Sequence, residues 1–138
     1  QDPCGLGRKG EPCIHWNGKE IPGHRRLFNP PKEFRRGTYG VYQPPRDVLQ
    51  RIPGLRLAEM CRTKEYAWCC GAGGGVRETN PDFAAWTARE RIAEAEETGV
   101  EALVTACPGC KRSFMDAVTS SGSSLKVLDV VELVARAI

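Results

Sequence analysis

Two cysteine pairs in this sequence have spacings that suit metal binding or redox chemistry. Cys107 and Cys110 form a Cys-x-x-Cys motif, and Cys69 and Cys70 are adjacent in the chain. Because proline favours the first position of a helix and follows Cys107 directly, we expect Cys107 to be an N-cap and Cys110 to lie in the first turn. Unpaired N–H groups and the helix dipole stabilise thiolates at that position. Thiolates bind metals and also attack disulfides.

The Cys-x-x-Cys motif alone has two interpretations. It is typical of redox-active disulfides of the thioredoxin kind, and it also occurs in metal sites. A thioredoxin-like domain needs no second pair, so the doublet of Cys69 and Cys70 favours metal binding. Adjacent Cα atoms lie about 3.8 Å apart, less than the roughly 4.4 Å of an unstrained disulfide. The doublet is therefore not expected to bond to itself.

Five of the seven cysteines form a one-two-two arrangement: Cys4, Cys69 and Cys70, Cys107 and Cys110. Five thiols exceed the four of a structural zinc site and match iron–sulfur ligation better, with one sulfur free to bridge or to exchange. Zinc stays an alternative because thiolates at tetrahedral spacing bind it. In a reducing compartment, clustered thiols bind metal or do redox chemistry more often than they form disulfides.

Glycines follow the doublet directly, in residues 71–75. Without a side chain, Gly71 and Gly73 let the backbone approach a bulky inorganic core and point N–H groups at its sulfurs. A phosphate-binding loop is disfavoured because the Gly-Lys-Ser/Thr ending is absent. The simpler interpretation is a flexible loop, which does not explain the two cysteines at its border.

Two cysteines and two histidines lie outside this arrangement. Either cysteine could be an auxiliary ligand, but we expect Cys61 to be a small apolar core residue. For Cys13, in a polar stretch with less core around it, the two roles are evenly balanced. We expect His15 and His24 to have surface or hydrogen-bonding roles rather than to bind metal.

The elements that must position these residues alternate between helix and strand. The patterns predict helices at 44–52, 81–98, 108–119 and 130–138 and strands at 55–60, 102–106 and 125–128. This alternation predicts an α/β fold, a small parallel sheet flanked by helices in a Rossmann-like three-layer arrangement, with functional groups at the carboxyl ends of the strands. Residues 9–39 follow no regular period, so we expect a long irregular insertion there.

The insertion is also the most basic part of the chain. From Arg8 to Tyr39, eight Lys or Arg residues oppose three acids, a local charge of +5. The segment is either a solvated loop or a docking surface for an acidic partner or anionic substrate.

Size and charge limit the remaining possibilities. A chain of 138 residues with 41% hydrophobic residues can bury one core, so we expect a single domain over 1–138. The net charge of +3 gives no reason to expect a nucleic-acid binder. Without an apolar run of roughly 18 residues or a secretion signal, we expect no direct membrane insertion and a cytoplasmic location, with membrane association only through a partner. The start at Gln1 rather than Met suggests a domain of a longer protein.

Several segments resemble the cysteine-rich CCG domain, which is found in the B-type and D-type subunits of heterodisulfide reductase and in the iron–sulfur subunit of glycolate oxidase. They are residues 2–8 (Asp-Pro-Cys-Gly-Leu-Gly-Arg), 40–49 (Gly-Val-Tyr-Gln-Pro-Pro-Arg-Asp-Val-Leu), 52–55 (Ile-Pro-Gly-Leu), 69–75 (Cys-Cys-Gly-Ala-Gly-Gly-Gly) and 105–111 (Thr-Ala-Cys-Pro-Gly-Cys-Lys). The interval between the doublet and Cys-x-x-Cys fits the family. The interval before the doublet is longer, and an insertion over 9–39 accounts for the difference.

The resemblance implies that Cys4, Cys69, Cys70, Cys107 and Cys110 hold a [4Fe–4S] cluster, noncubane in the heterodisulfide reductase branch. It also implies a subunit of an electron-transfer oxidoreductase that performs thiol/disulfide redox chemistry or relays electrons to a flavin or quinone. Its partners would be a second CCG domain and a ferredoxin-like or flavin subunit. The alternatives are a zinc-stabilised interaction module without catalysis and a thiol–disulfide oxidoreductase that uses Cys107 and Cys110. No catalytic acid or base is identifiable.

Overall fold

The fold is a mixture of helices and short strands. The computed structural model describes residues 1–10, 16–23, 27–31 and 36–138. Its elements, in chain order, are β1 (Lys19–Glu20), β2 (Phe28–Asn29), α1 (Gln43–Gln50), α2 (Val76–Thr79), α3 (Pro81–Glu96), β3 (Ala102–Thr105), α4 (Pro108–Ser121), β4 (Lys126–Asp129) and α5 (Val130–Ala137). The four predicted helices are confirmed as α1, α3, α4 and α5, and two predicted strands as β3 and β4.

The second sheet is a parallel pair of strands. β3 pairs with β4 in a register that sets Ala102 opposite Lys126 and Thr105 opposite Asp129. α4 makes the crossover between them, as parallel neighbours require. Among the described residues each sheet has two strands, so the observed fold is α/β with a small parallel sheet, and the three-layer arrangement stays a prediction.

The strand predicted at 55–60 is wrong. Its apolar residues Leu55, Leu57 and Met60 are half-buried, which explains the alternating pattern. The segment nevertheless forms no ladder with another described strand. A strand needs a hydrogen-bonded neighbour, and alternation reports only which side chains face the protein.

The predicted irregular insertion contains one regular feature. β1 and β2 pair antiparallel, and Trp16 packs edge-on against Phe28 with ring centroids 5.2 Å apart. The Trp16 indole also donates to the Pro30 carbonyl at 2.9 Å. The prediction of an irregular segment was therefore wrong at this hairpin. Cys13, His15 and His24 lie outside the described residues.

The core lies between α3, α4 and β3. Small residues along α3 let the helices approach closely, and Phe114 of α4 fills the space between them. The buried cluster consists of Cys70, Ala88, Ile92, Ala95, Leu103, Cys110, Phe114, Ala117 and Leu125. Two of these are cysteines from separate motifs, so the core and the candidate site are continuous.

None of the helices described is long and apolar enough to cross a membrane.

Candidate metal centre

The doublet lies at the inner edge of a loop that packs on α3 and α4. Cys70 is only 6% exposed, whereas Cys69 faces solvent. Ser113 of α4 donates its hydroxyl to the Cys70 carbonyl at 2.6 Å, and the Gly71 N–H lies 3.4 Å from the Cys69 sulfur. Both polar groups of the peptide unit that joins Cys70 to Gly71 are therefore held by hydrogen bonds.

Gly71 allows this loop to touch α3. Its φ is +78°, and a Cβ atom built there would lie 2.5 Å from the Ala84 carbonyl oxygen. A backbone atom cannot move aside as a side chain can, so this position accepts only glycine without rearrangement. The predicted approach of the Gly71 backbone to an inorganic core stays a prediction, and the neighbour that requires glycine at this position is α3.

The Cys-x-x-Cys motif begins α4, as predicted. Cys107 is the N-cap, with φ −143° and ψ 120°, and proline occupies the next position. Cys110 is 5% exposed and belongs to the buried core, while Cys107 is half-buried. Both cysteines therefore belong to the first turn, where unpaired N–H groups and the helix dipole favour thiolates.

The thiols of the two motifs interact. Interaction with the Cys110 thiol raises the pKa of Cys70 to about 11, an effect that Cys69 opposes and burial strengthens. Interaction with Cys70 and then burial raise the pKa of Cys69 well above the ordinary thiol range. Three of the five predicted ligands thus form one contiguous set. Because ligands bind metal as thiolates, a metal or cluster held by these cysteines would displace their protons.

Cys4 lies in a turn that is tied to both other cysteine segments. The Gln1 amino group donates to the Val104 carbonyl at 2.8 Å, and its side-chain amide donates to the Trp68 carbonyl at 3.0 Å. Trp68 immediately precedes the doublet, and Val104 lies three residues before Cys107. Gln1 therefore joins the three segments that carry the predicted ligands.

Arg8 makes a second connection on the other side of Cys4. Its guanidinium donates to the Ala67 carbonyl at 3.0 Å, and its positive charge acts to lower the pKa of Cys69. Sequence reasoning missed Gln1 and Arg8 as functional positions. Gln1 directly precedes the segment 2–8, which contains Cys4, and Arg8 ends that segment. Their proximity to Cys4 was therefore the available indication in the sequence.

Three glycines after the doublet have open space where a side chain would lie. A Cβ atom at Gly73 would meet no atom within 4 Å, and the same is true of Gly74 and Gly75. The ring of Trp68, directly before the doublet, lies under the Arg62 guanidinium, 3.9 Å from the ring centroid. A bulky inorganic group could therefore approach the doublet without displacing a side chain from the glycines. The donor set and this open backbone fit an iron–sulfur cluster.

Among the described cysteines, Cys61 lies outside the predicted ligand set. All six described cysteines are free thiols, and Cys61 is exposed. The predicted core role of Cys61 is therefore wrong, because the segment before it forms no strand and its side chain faces solvent. Within the described ranges, no three Cys, His, Asp or Glu side chains lie close enough together to hold one metal ion.

The chain matches the family model of the CCG cysteine-rich domain over residues 32–115. This match includes the doublet and the Cys-x-x-Cys motif and begins after Cys4.

Curated relatives extend the match. The chain is 48% identical, over 72% of its length, to the D-type subunit of dihydromethanophenazine:CoB–CoM heterodisulfide reductase from Methanosarcina acetivorans, and it covers 24% of that protein. It is 33% identical over 79% of its length to the B-type subunit of fumarate reductase (CoM/CoB) from Methanothermobacter marburgensis, covering 22%. It is 34% identical over 74% of its length to a probable iron–sulfur-binding oxidoreductase, FadF, of Bacillus subtilis, covering 15%. The chain thus spans about a quarter or less of these relatives. No solved structure matches it.

Proposed function

Since the chain belongs to the CCG family of cysteine-rich domains, we propose that it is the iron–sulfur cluster domain of an electron-transferring oxidoreductase subunit. The observation that carries the proposal is the meeting of Cys70 and Cys110. These cysteines come from the two family motifs, lie in one buried cluster and interact through their thiols. The names of the relatives, which include heterodisulfide reductase and an iron–sulfur-binding oxidoreductase, support the same class of function.

The proposed ligands are Cys69, Cys70, Cys107 and Cys110, with Cys4 as the fifth. The group they would hold is a [4Fe–4S] cluster, in cubane or noncubane form. When bound, such a cluster accepts and donates one electron at a time, and its potential depends on hydrogen bonds to its sulfurs and on exposure to solvent. The backbone N–H groups of Gly71 and Gly73 are proposed as such donors.

The protein's own residues prepare the thiols for this role. In the metal-free chain the doublet has raised pKa values, so binding requires the site to give up protons. Cys107 and Cys110 lie at the N-terminus of α4, the end of a helix near which negatively charged groups are stabilised. Ser113 holds the Cys70 carbonyl, and Trp68, directly before the doublet, stacks with the Arg62 guanidinium.

We also propose that the chain is part of a larger assembly. Because the chain covers 24% of the heterodisulfide reductase polypeptide that it matches, we place it as one domain of a longer protein. Its partners would be a second domain of the same family and a ferredoxin-like or flavin subunit, in the cytoplasm and with membrane contact only through a partner. The reaction would be disulfide reduction or electron relay to a flavin or quinone. We also propose that the helices and the sheet are arranged in three Rossmann-like layers.

The decisive experiment is anaerobic reconstitution with iron and sulfide. We expect a brown protein with about four irons and four sulfides per chain, the composition of the proposed cluster, and a paramagnetic resonance signal in one redox state. Cys70→Ser should abolish the cluster. Cys61→Ser, which removes an exposed thiol outside the proposed site, should retain it.

Two other results would replace the proposal. A colourless protein with one tightly held zinc ion would identify a zinc-stabilised interaction module. Disulfide reductase activity that survives Cys70→Ser and disappears with Cys107→Ser would identify a dithiol oxidoreductase.

A further inference from the structure

The thiols of Cys70 and Cys110 lie together in the buried core. Cys70 is 6% exposed and Cys110 is 5% exposed, and both belong to one hydrophobic cluster with Ile92 and Phe114. The Cys110 thiol is a hydrogen-bond partner of the Cys70 thiol. A disulfide requires two sulfurs to approach to about 2.0 Å, so two thiols that already touch are well placed to form one.

The packing of the doublet loop on two helices produces this contact. Ser113, three residues after Cys110 in α4, donates its hydroxyl to the Cys70 carbonyl at 2.6 Å. Gly71, the residue after Cys70, lies against the backbone of Ala84 in α3. The backbone that carries Cys70 is therefore held close to the first turn of α4.

The other cysteine pairs of the site are less suited to a disulfide. Cys69 is adjacent to Cys70, and neighbouring Cα atoms at about 3.8 Å are closer than an unstrained disulfide allows. Cys107 is half-buried and packs at the edge of the hydrophobic cluster. Its sulfur lies beside Gly109, 3.8 Å from the position of a Cβ atom built there. The Cys110 thiol, in contrast, is enclosed in the core with Cys70.

We propose that Cys70 and Cys110 form a disulfide in the metal-free chain, with a peroxide as the oxidant. In the first step the sulfur of one cysteine attacks a peroxide oxygen and the O–O bond breaks. That cysteine becomes a sulfenic acid, and the leaving hydroxide takes up the thiol proton as water. In the second step the other sulfur attacks the sulfenic sulfur, the S–O bond breaks, and a second water leaves. In total, two thiols are oxidised to one disulfide and one hydrogen peroxide is reduced to two waters.

The burial of the pair selects a small oxidant. Hydrogen peroxide is close to water in size, whereas a bulky organic disulfide would have to enter the close-packed core to reach thiols that are 5% and 6% exposed. The disulfide would also occupy two of the proposed cluster ligands. On the proposed function, the oxidised chain therefore takes up iron only after a thiol reductant has cleaved this bond. The disulfide itself does not depend on the cluster.

The test maps the disulfide in three metal-free variants, each with one cysteine left in the doublet and one in the Cys-x-x-Cys motif. Cys69→Ser/Cys107→Ser keeps the proposed pair, and Cys70→Ser/Cys107→Ser and Cys69→Ser/Cys110→Ser are its matched controls. Each is treated with hydrogen peroxide, alkylated and digested, and the linked peptides are identified by mass spectrometry. We expect the variant with the proposed pair to give about ten times the yield of linked peptide of either control.

The outcomes decide the pairing. A yield in either control equal to that of Cys69→Ser/Cys107→Ser would overturn the proposal, because the contact between the two thiols would then have no effect. Absence of a link in Cys69→Ser/Cys107→Ser would overturn it as well. This variant keeps both buried thiols, so its result stands even if a control variant fails to fold.

A second measurement is the urea midpoint of the wild-type chain before and after treatment with peroxide. We expect the midpoint to rise, because a bond between residues 70 and 110 restricts the unfolded chain. A lower midpoint would show that the bond distorts the folded core, and it would overturn the pairing. None of these measurements uses iron, so failure of the disulfide and failure of cluster assembly are separate results.

Discussion

Arg46 holds Asp2 through two parallel hydrogen bonds, from Nη1 to Oδ1 at 2.6 Å and from Nη2 to Oδ2 at 2.9 Å. The two side chains are only 12% and 9% exposed. Arg46 also contacts Glu59 at 2.5 Å and the Tyr42 carbonyl at 2.8 Å. Because Asp2 lies two residues before Cys4, this pair anchors the Cys4 turn to α1.

Arg46→Lys should therefore destabilise the protein. Lysine cannot form the two-pronged contact, which leaves the Asp2 carboxylate incompletely paired in a poorly solvated place. We expect the free energy of unfolding, measured with urea, to fall by about 2–3 kcal/mol. The control is Arg77→Lys, which alters the more exposed pair of Arg77 and Asp116 and should cost less than about 1 kcal/mol. Equal losses would contradict the anchoring role.

A second prediction concerns Arg91, whose side chain is fully buried. It donates to Glu94 at 2.5 Å, to the Gln1 side chain at 2.5 Å and to the Arg62 carbonyl at 2.8 Å. Arg91→Met leaves the buried Glu94 with only the more distant Arg62 guanidinium as a cation, 3.7 Å away, so we expect urea unfolding to show a loss of about 3 kcal/mol. The double variant Arg91→Met/Glu94→Gln should recover part of that loss. Strictly additive effects of the two substitutions would show that the residues do not interact.

Gly71 and Gly74 form a matched pair for a third prediction. Both have positive φ, +78° and +66°, but only Gly71 lies against backbone atoms of α3. Gly74→Ala should cost about 1 kcal/mol of unfolding free energy from backbone strain alone. Gly71→Ala should cost about 2 kcal/mol more, because the methyl group must push the doublet away from Ala84. Thermal and urea unfolding of the two variants give the difference, and a zero difference would refute the close contact.

The sequence predicts this fold best where the determinant is local. Proline after Cys107 fixes the start of α4, and the run of helix formers defines α3. The exposed position of Cys61 and the absence of a ladder between 55–60 and any described strand depend on residues distant in the chain. An alternating pattern identifies the buried side of a segment and says nothing about whether a neighbouring strand is present.

In the candidate site, too, local features could be predicted from the sequence and features that depend on distant residues could not. The five proposed ligands could be selected from cysteine spacing, and the interaction of Cys70 with Cys110 agrees with that selection. The groups that fix their backbone could not be selected, since Gln1, Arg8 and Ser113 are ordinary polar residues in the sequence. Their roles come from partners such as Val104 and Ala67, which are distant in the chain and become neighbours only after folding.

The last prediction concerns acid stability and again uses Asp2. Burial acts to raise the pKa of Asp2, but hydrogen bonds from Arg46 and the Lys64 N–H outweigh it, so the pKa lies below its usual value. The folded chain therefore binds fewer protons than the unfolded chain at a pH of about 3–4. The contribution of Asp2 to stability is present above the unfolded pKa and is lost as pH falls through the folded pKa.

Asp2→Asn should remove this contribution. In urea titrations from about pH 6 to about pH 2, we expect the stability of the wild type to fall more steeply below about pH 4 than that of the variant. Asp116→Asn, at the more exposed ion pair with Arg77, should keep the acid slope close to the wild type because solvent screens that pair. If Asp2→Asn and the wild type lose stability in parallel, Asp2 has its ordinary pKa in the folded protein. Arg46 then does not hold the Asp2 carboxylate as a charged partner in solution.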